Sequence, residues 1–494
     1  MWNAFFQRID YDSIKPEILL TIFASAILVL DPILFREKRD KIWNAFFALL
    51  GLAFAIVQLF IFWAPASRGA FDGMFDGRTS LDTFAVTLKL IIAFATFLVI
   101  LLSIRYLEIE DAHFGEYYAL LLLAAVGMML LASGTDLIVL FLALEVMALC
   151  EYVLTGFLRG DRRSNEAAMK FFLLGAFSSG LLLYGMSILY GISGSTRLSD
   201  IAEKLAARPA ADPLSWLAMI TLLAGLFFKI AAVPFHQWTP DAYEGAPTSI
   251  TAFISVAPKV ASFAILLRLL FEALRPLQGQ WQLLLIGVAV ATMTLGNLAA
   301  ITQDNIKRFF GYSTISHVGY LLLGVIAAAD GNSYGLTAVV IYLLVYAFMN
   351  LGAFTVIVMM RRRDLIGDQI DDLSGLMARA PGAAILMLIF LLSLAGIPPT
   401  AGFIGKYYIF LSLIQTGHYY LALLGVAYAV VALYYYFRIV VAMFMRKAPD
   451  SVPLATSLGL FVAMGVAVVF TLLIGIYPEP FITIANQAVR PFFT

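Results

Sequence analysis

The sequence predicts an all-α integral membrane protein of about fourteen transmembrane helices, at least one of them broken at mid-membrane. Three observations predict it. The 494 residues are 62% hydrophobic and 13% charged, against roughly 45–50% apolar and about 25% charged in soluble domains. Apolar runs long enough to cross a bilayer, ~20 residues each, recur along the whole chain. One run, 382–415, is too long for a single straight crossing and carries Gly396-Ile397-Pro398-Pro399 at its centre, where proline removes a helical hydrogen bond and clashes with the preceding turn.

The spans follow in order. Their cores fall at about 16–35, 43–63, 81–103, 116–132, 136–158, 167–191, 213–234, 248–274, 281–301, 312–329, 333–360, 382–415, 418–445 and 454–478, because backbone exposed to lipid at that depth must be helical. Ala24-Ser25-Ala26 imitates a signal-peptidase site, yet Ile27-Leu28-Val29-Leu30 continues the apolar run, so the first span reads as a retained helix. The single cysteine, Cys150, lies within an apolar run and excludes an intrachain disulfide, a CxxC redox pair and a cysteine-held iron–sulfur cluster. Lys+Arg and Asp+Glu each total 32, which leaves no net field to attract nucleic acid.

Loop charge sets the orientation. Arg36, Lys38, Arg39, Lys41, Arg105, Arg159, Arg162, Arg163, Lys307, Arg308, Arg361, Arg362, Arg363, Arg379, Arg446 and Lys447 fall on one face, 16 in all. The other face holds nine: Arg8, Lys15, Arg68, Arg78, Arg197, Lys204, Arg208, Arg275 and Arg490. The richer face is cytoplasmic by the positive-inside rule, so both termini point away from the cytoplasm. The loop Phe235 to Pro247, assigned to the positive face, carries no Lys or Arg.

The other seven basic residues lie inside spans, where a charge near the bilayer centre costs at least ~2.5–3.5 kcal/mol. Arg268 and Arg438 lie toward span ends and read as snorkelling side chains. Lys170, near the start of its span, and Lys89, deeper, are second-rank functional candidates. Lys259 is eleven residues into its span, ~16 Å deep at 1.5 Å per residue, and out of reach of water. Lys229 precedes Pro234 and Lys406 follows Pro398-Pro399, so both flank breaks of the kind that face protein or a watery cavity. Glu145 is equally deep and needs a cation or a proton, with Lys229 as the expected partner. Burial favours the neutral forms of such a pair and pairing favours the charged forms, so the pair can exchange a proton when a neighbouring charge moves. Glu151, roughly 240° around the same helix, need not share that site. His317 and His236 could pass protons near neutral pH, and the four histidines show no metal-ligand spacing.

The run Leu226 to Pro247, LFFKIAAVPFHQWTPDAYEGAP, resembles the seventh-helix signature of the antiporter-like membrane subunits of respiratory complex I. QDNIKRFFGYSTISHVGY (303–320) and GIPPTAGFIGKYYIF (396–410) resemble the tenth- and twelfth-helix regions of the same family. Tyr243-Glu244-Gly245-Ala246-Pro247, lysine at Lys406 after Gly402-Phe403-Ile404-Gly405, and an end soon after the fourteenth span point to the N type. The resemblance implies a three-helix region at 1–115, two inverted five-helix repeats at 116–274 and 281–445 with broken seventh and twelfth helices, and a C-terminal helix within 446–494. It implies a proton path through Glu145, Lys229, Lys259 and Lys406, driven by quinone reduction elsewhere in the assembly. The chain itself would bind no cofactor and do no redox chemistry. NAD, FMN, iron–sulfur clusters and quinone are expected in partner subunits, with M-type and K-type neighbours, in a bacterial inner (plasma) membrane. The alternatives are a subunit of a multisubunit cation/proton antiporter or membrane-bound hydrogenase, disfavoured by the isolated carboxylates of the spans, and a structural membrane spacer whose buried lysines would tolerate Leu or Met.

Overall fold

The computed structural model describes residues 11–35, 40–71, 73–209, 211–361, 367–448, 454 and 456–493. The loop residues Arg36, Lys38, Arg39, Arg362 and Arg363, and Arg8 near the N-terminus, lie outside these. The described residues form helices joined by short loops, with isolated bridges and no strand.

Three helices come first: α1 (Lys15–Leu34), α2 (Ile42–Ala66) and α3 (Thr83–Glu110). Five spans follow: α4 (Gly115–Ser133), α5 (Leu137–Thr155), α6 (Arg162–Ser193), the broken α7, and α8 (Thr248–Arg268), which continues as a π-turn to Ala273. The two pieces of α7 are α7a (Pro213–Ile230) and α7b (Trp238–Gly245). The next five are α9 (Gln278–Ile301), α10 (Ile306–Ala329), α11 (Ser333–Met360), α12 in two pieces, and α13 (Tyr419–Met445). Here α12a is Pro381–Ala395 and α12b is Ala401–Gln415. The last span is α14 (Leu458–Ile476), followed by a short amphipathic helix, α15 (Glu479–Val489), which was not expected. Among the described residues, thirteen helices are long and apolar enough to cross a bilayer, and α12 supplies the fourteenth crossing in two pieces. Five is an odd number, so the second group of five enters from the opposite face and the two groups run inverted.

Helix ends are fixed by the chemistry of their first turns. Asp82, Asp136, Asp161, Asp212, Asn305 and Asn332 each accept a hydrogen bond from a backbone N–H of the helix they precede, satisfying donors that have no partner within the helix. Burial then sorts the spans. The most apolar window of α8 is 100% buried and those of α10 and α11 are 94% buried, whereas α1, α2, α13 and α14 reach only 28–33%. The helices buried on every side, α8, α10 and α11, stand in the centre. They are also the ones that carry Lys259, His317 and Asn350.

Candidate functional site

The two breaks are built alike. Each first piece ends in a residue of left-handed backbone, Ala231 (φ 62°) after α7a and Gly396 (φ 88°) after α12a, and each linker contains one cis X-Pro bond. A helix end leaves carbonyls without intrahelical partners and a partial negative charge. A lysine takes up those carbonyls in both places. Lys259 Nζ, from α8, donates to Ile230 O at 3.0 Å. Lys406 Nζ, from α12b, reaches back to Ala395 O at 2.8 Å and Leu394 O at 3.2 Å. Aromatic faces complete both seats: Trp238 lies 5.3 Å from Lys259 Nζ and Tyr320 4.9 Å from Lys406 Nζ. Lys259 is thus the counterpart of Lys406 in position, which resolves the mismatch of Lys229 and Lys406 relative to their prolines. Gly396 is required: its φ is left-handed, and a Cβ there would meet Lys406 Cδ at 2.8 Å.

Lys229, near the end of α7a, makes no direct pair with Glu145. Its Nζ donates to Tyr152 Oη at 3.4 Å and sits 5.7 Å from the rings of both Tyr152 and Phe228. Glu145 is half-buried, with Oε1 enclosed and without a hydrogen-bond partner. It borders the exposed side of α5, which is formed by Ile138, Leu142, Leu149 and Val153. Glu151, set apart from the site in the sequence reading, is the interior carboxylate. It is 4% exposed and its Oε1 has no hydrogen-bond partner. Every side of α5 is apolar, so no stripe in the sequence shows which side faces inward. The available signal was only the presence of a second acid inside a span.

His317 lies in the second group of five, among hydroxyls. Its Nδ1 is 2.6 Å from Tyr342 Oη and its Nε2 is 3.0 Å from Tyr436 Oη, which is in turn 2.5 Å from Ser313 Oγ. Between the two lysine seats, Asn350 of α11 donates to Ser255 of α8 at 2.6 Å, and Tyr346 bonds Thr314 at 2.8 Å. Lys229, Lys259, His317 and Lys406 therefore belong to one polar interior shared by α5, α7, α8, α10, α11 and α12.

The other candidates lie elsewhere. Lys170 lines a cavity of about 340 Å³ with Arg163, Glu166, Asp241, Glu244 and Arg308. It pairs with Glu166 at 2.9 Å and Asp241 at 3.0 Å, and Arg308 binds Asp241 at 2.7 Å and Glu244 at 2.9 Å. The segment read from sequence as a loop without basic residues is helix α7b, and its cations come from α6 and α10. Lys307 adds a bond to Ala246 O at 3.0 Å. His236 is half-buried in the break between α7a and α7b.

Lys89 is fully buried and pairs with Glu17 at 2.6 Å, joining α3 to α1. Arg268 does not snorkel. It is 1% exposed, binds both oxygens of Asp82 at 3.0 Å, Glu272 at 2.7 Å and Ala132 O at 2.8 Å. A long side chain near a helix end can turn inward as readily as outward when carboxylates await it. Arg438 stays at its span end, bound to Ile301 O and, at 2.8 Å, to Asp304. Among the described residues, no group of three or more His, Cys, Asp or Glu could hold a metal ion.

Residues 134–432 match the family model described as NADH:quinone oxidoreductase/Mrp antiporter, TM. The chain is 52% identical over 490 residues to NADH-quinone oxidoreductase subunit N 2 of Solibacter usitatus, covering 99% of both chains. It is 54% identical to subunit N 1 of Koribacter versatilis, over 97% of this chain and 95% of that one. The chain belongs to the family of NADH-quinone oxidoreductase N subunits. A subunit of respiratory complex I from Thermus thermophilus superposes with a TM-score of 0.79 at 31% identity, covering 95% of this chain and 99% of that one. A chain of the Mrp complex from Dietzia, at 22% identity and a TM-score of 0.81, shares the fold. Both breaks lie within the matched residues, as do Glu145, Lys229, Lys259 and Lys406.

Proposed function

We propose that this chain is the proton-translocating N-type subunit of an NADH-quinone oxidoreductase, driven by quinone reduction in other subunits. One observation carries the reading: Lys229, Lys259 and Lys406 are 8%, 2% and 4% exposed, and each is held by carbonyl, hydroxyl or ring instead of a carboxylate. A buried ammonium bound only by dipoles is stabilised less than one in an ion pair, so a moderate change in the local field moves its proton. At an effective dielectric of 20, a unit charge brought to 4 Å changes the balance by about 4 kcal/mol.

The groups at 116–274 and 281–445 act as the two working repeats. Glu145, at the exposed edge of α5, is placed to feel a charge in a neighbouring subunit and to pass its effect to Lys229. Protons then occupy Lys259 and Lys406 in turn, with His317 and its tyrosines between. Lys170 and the α7b ion network border the cavity of about 340 Å³ at one membrane face, and the positive-inside assignment makes that face cytoplasmic. The membrane is a bacterial plasma membrane, both termini lie on its non-cytoplasmic side, and the flavin, iron–sulfur and quinone chemistry belongs to partner subunits.

The test is proton translocation per NADH oxidised in reconstituted complex carrying Lys229→Ala or Lys406→Ala. Both ratios are expected to fall; unchanged ratios in both variants overturn the proposal.

A further inference from the structure

The geometry points to Glu151 as the carboxylate that carries a proton between Lys229 and Lys259. This inference rests on the function proposed above and adds a member to its path.

Helix α5 holds two acids on different sides. At 100° per residue, Glu151 is about 180° from the exposed Leu142, while Glu145 lies about 60° from it. The exposed row of Ile138, Leu142, Leu149 and Val153 marks the outer side of the helix. Glu145 borders that row and Glu151 faces directly away from it, into the protein. The next residue, Tyr152, holds Lys229 through its hydroxyl, and its ring packs on Phe171 at 4.8 Å. Phe171 stacks at 4.3 Å on Trp238, whose face lies against the Lys259 ammonium. One aromatic wall therefore joins the two lysines, and Glu151 directly precedes its first ring, Tyr152, on α5.

Charge counting then gives Glu151 its role. Apart from Asp136, which caps the first turn of α5, and Arg268, which is held in its ion pairs, the buried charged residues described in the first group of five are Lys229, Lys259 and Glu151. With both lysines charged the cluster carries +1; with one of them neutral it carries zero. An uncompensated charge at membrane depth is expensive, so the electroneutral state has one proton vacancy shared by two lysines. An enclosed carboxylate oxygen without a hydrogen-bond donor is free to accept the proton in transit. The Lys229 ammonium gives a proton to the Glu151 carboxylate, leaving an amine and a carboxylic acid. The acid then gives that proton to the Lys259 amine, forming an ammonium and restoring the carboxylate. One proton has moved, Glu151 is unchanged, and Lys229 is free to be recharged.

Glu151→Gln keeps the shape and removes the exchangeable proton. In reconstituted complex, protons translocated per NADH oxidised are expected to fall to the value of Lys259→Ala, and Glu151→Asp is expected to restore most of the loss. Normalising to oxidation makes the ratio insensitive to a lowered yield of assembled complex. A wild-type ratio in Glu151→Gln beside a lowered ratio in Lys259→Ala overturns this inference and leaves the proposed function standing. Wild-type ratios in both overturn the two together. Should Glu151→Gln fail to assemble, unmodified complex decides. A membrane-permeable carbodiimide, which reacts with protonated carboxyl groups, is expected to label the Glu151 peptide during turnover, and no label there overturns the inference.

Discussion

The protein buries charge in two regions and treats it in opposite ways. Where α1, α3 and α8 meet, every buried cation has a carboxylate at 3.0 Å or less: Lys89 has Glu17, and Arg268 has Asp82 and Glu272. In the central row, Lys229, Lys259 and Lys406 have carbonyls, hydroxyls and rings instead. Both regions exclude water equally well, so burial does not distinguish them. Partner chemistry does. An ion pair in a low-dielectric interior holds its proton firmly and fixes two helices together. A lysine on the end of a half-helix is held by partial charges and responds to what its neighbours carry. The first region reads as an ionic staple, and the second as exchangeable storage.

That contrast can be broken by experiment, and stability gives the scale. Arg268→Ala strands Asp82 and Glu272 and is expected to cost about 3–5 kcal/mol, seen as a lower thermal midpoint and less assembled complex. A midpoint near that of the parent would show that the staple carries no load. Lys89→Met should cost roughly 3 kcal/mol by leaving Glu17 buried and alone, and adding Glu17→Gln should recover most of it. The double variant should keep the parental proton-to-NADH ratio; a lowered ratio would move Lys89 from the staple into the path.

His317→Phe removes partners from Tyr342 and Tyr436 at about 1 kcal/mol each. It is expected to lower the midpoint modestly and slow proton transfer between the two groups of helices, measured as the rate of acidification at fixed oxidation rate. At the small end of the stability scale stands Lys406→Met. Removing an ammonium without a carboxylate partner removes its burial penalty but leaves the Leu394 and Ala395 carbonyls without a donor; the two terms oppose each other, so the midpoint should move little while the proton ratio falls. A large loss of stability there would erase the distinction between the two regions.

Much of this was legible in the sequence. Thirteen spans and the α12 break follow from apolar run length and the prolines at 398 and 399, because a bilayer imposes one length and one hydrogen-bonding solution on every crossing. The central lysines were legible for the same reason: a lysine ~16 Å from water has no bland explanation. The pairing of those charges was not. Arg268 looked like an anchor because its inward partner, Asp82, is 186 residues away in sequence. Lys89 stood undecided as a second-rank candidate because its partner, Glu17, belongs to another helix.

The sequence by itself determined what kind of molecule this is, how many times it crosses, and which side chains sit too deep to be accidental. Composition and run length are local quantities, and the membrane reads them locally. Only the tertiary structure decided which buried charges are locked and which are loosely held, that Lys259 and not Lys229 occupies the counterpart of the Lys406 seat, and that Glu151 faces the interior while the half-buried Glu145 borders the exposed side of α5. In helices apolar on all sides, no periodicity marks the inner surface, so the facing of each charge is set by the packing of its neighbours.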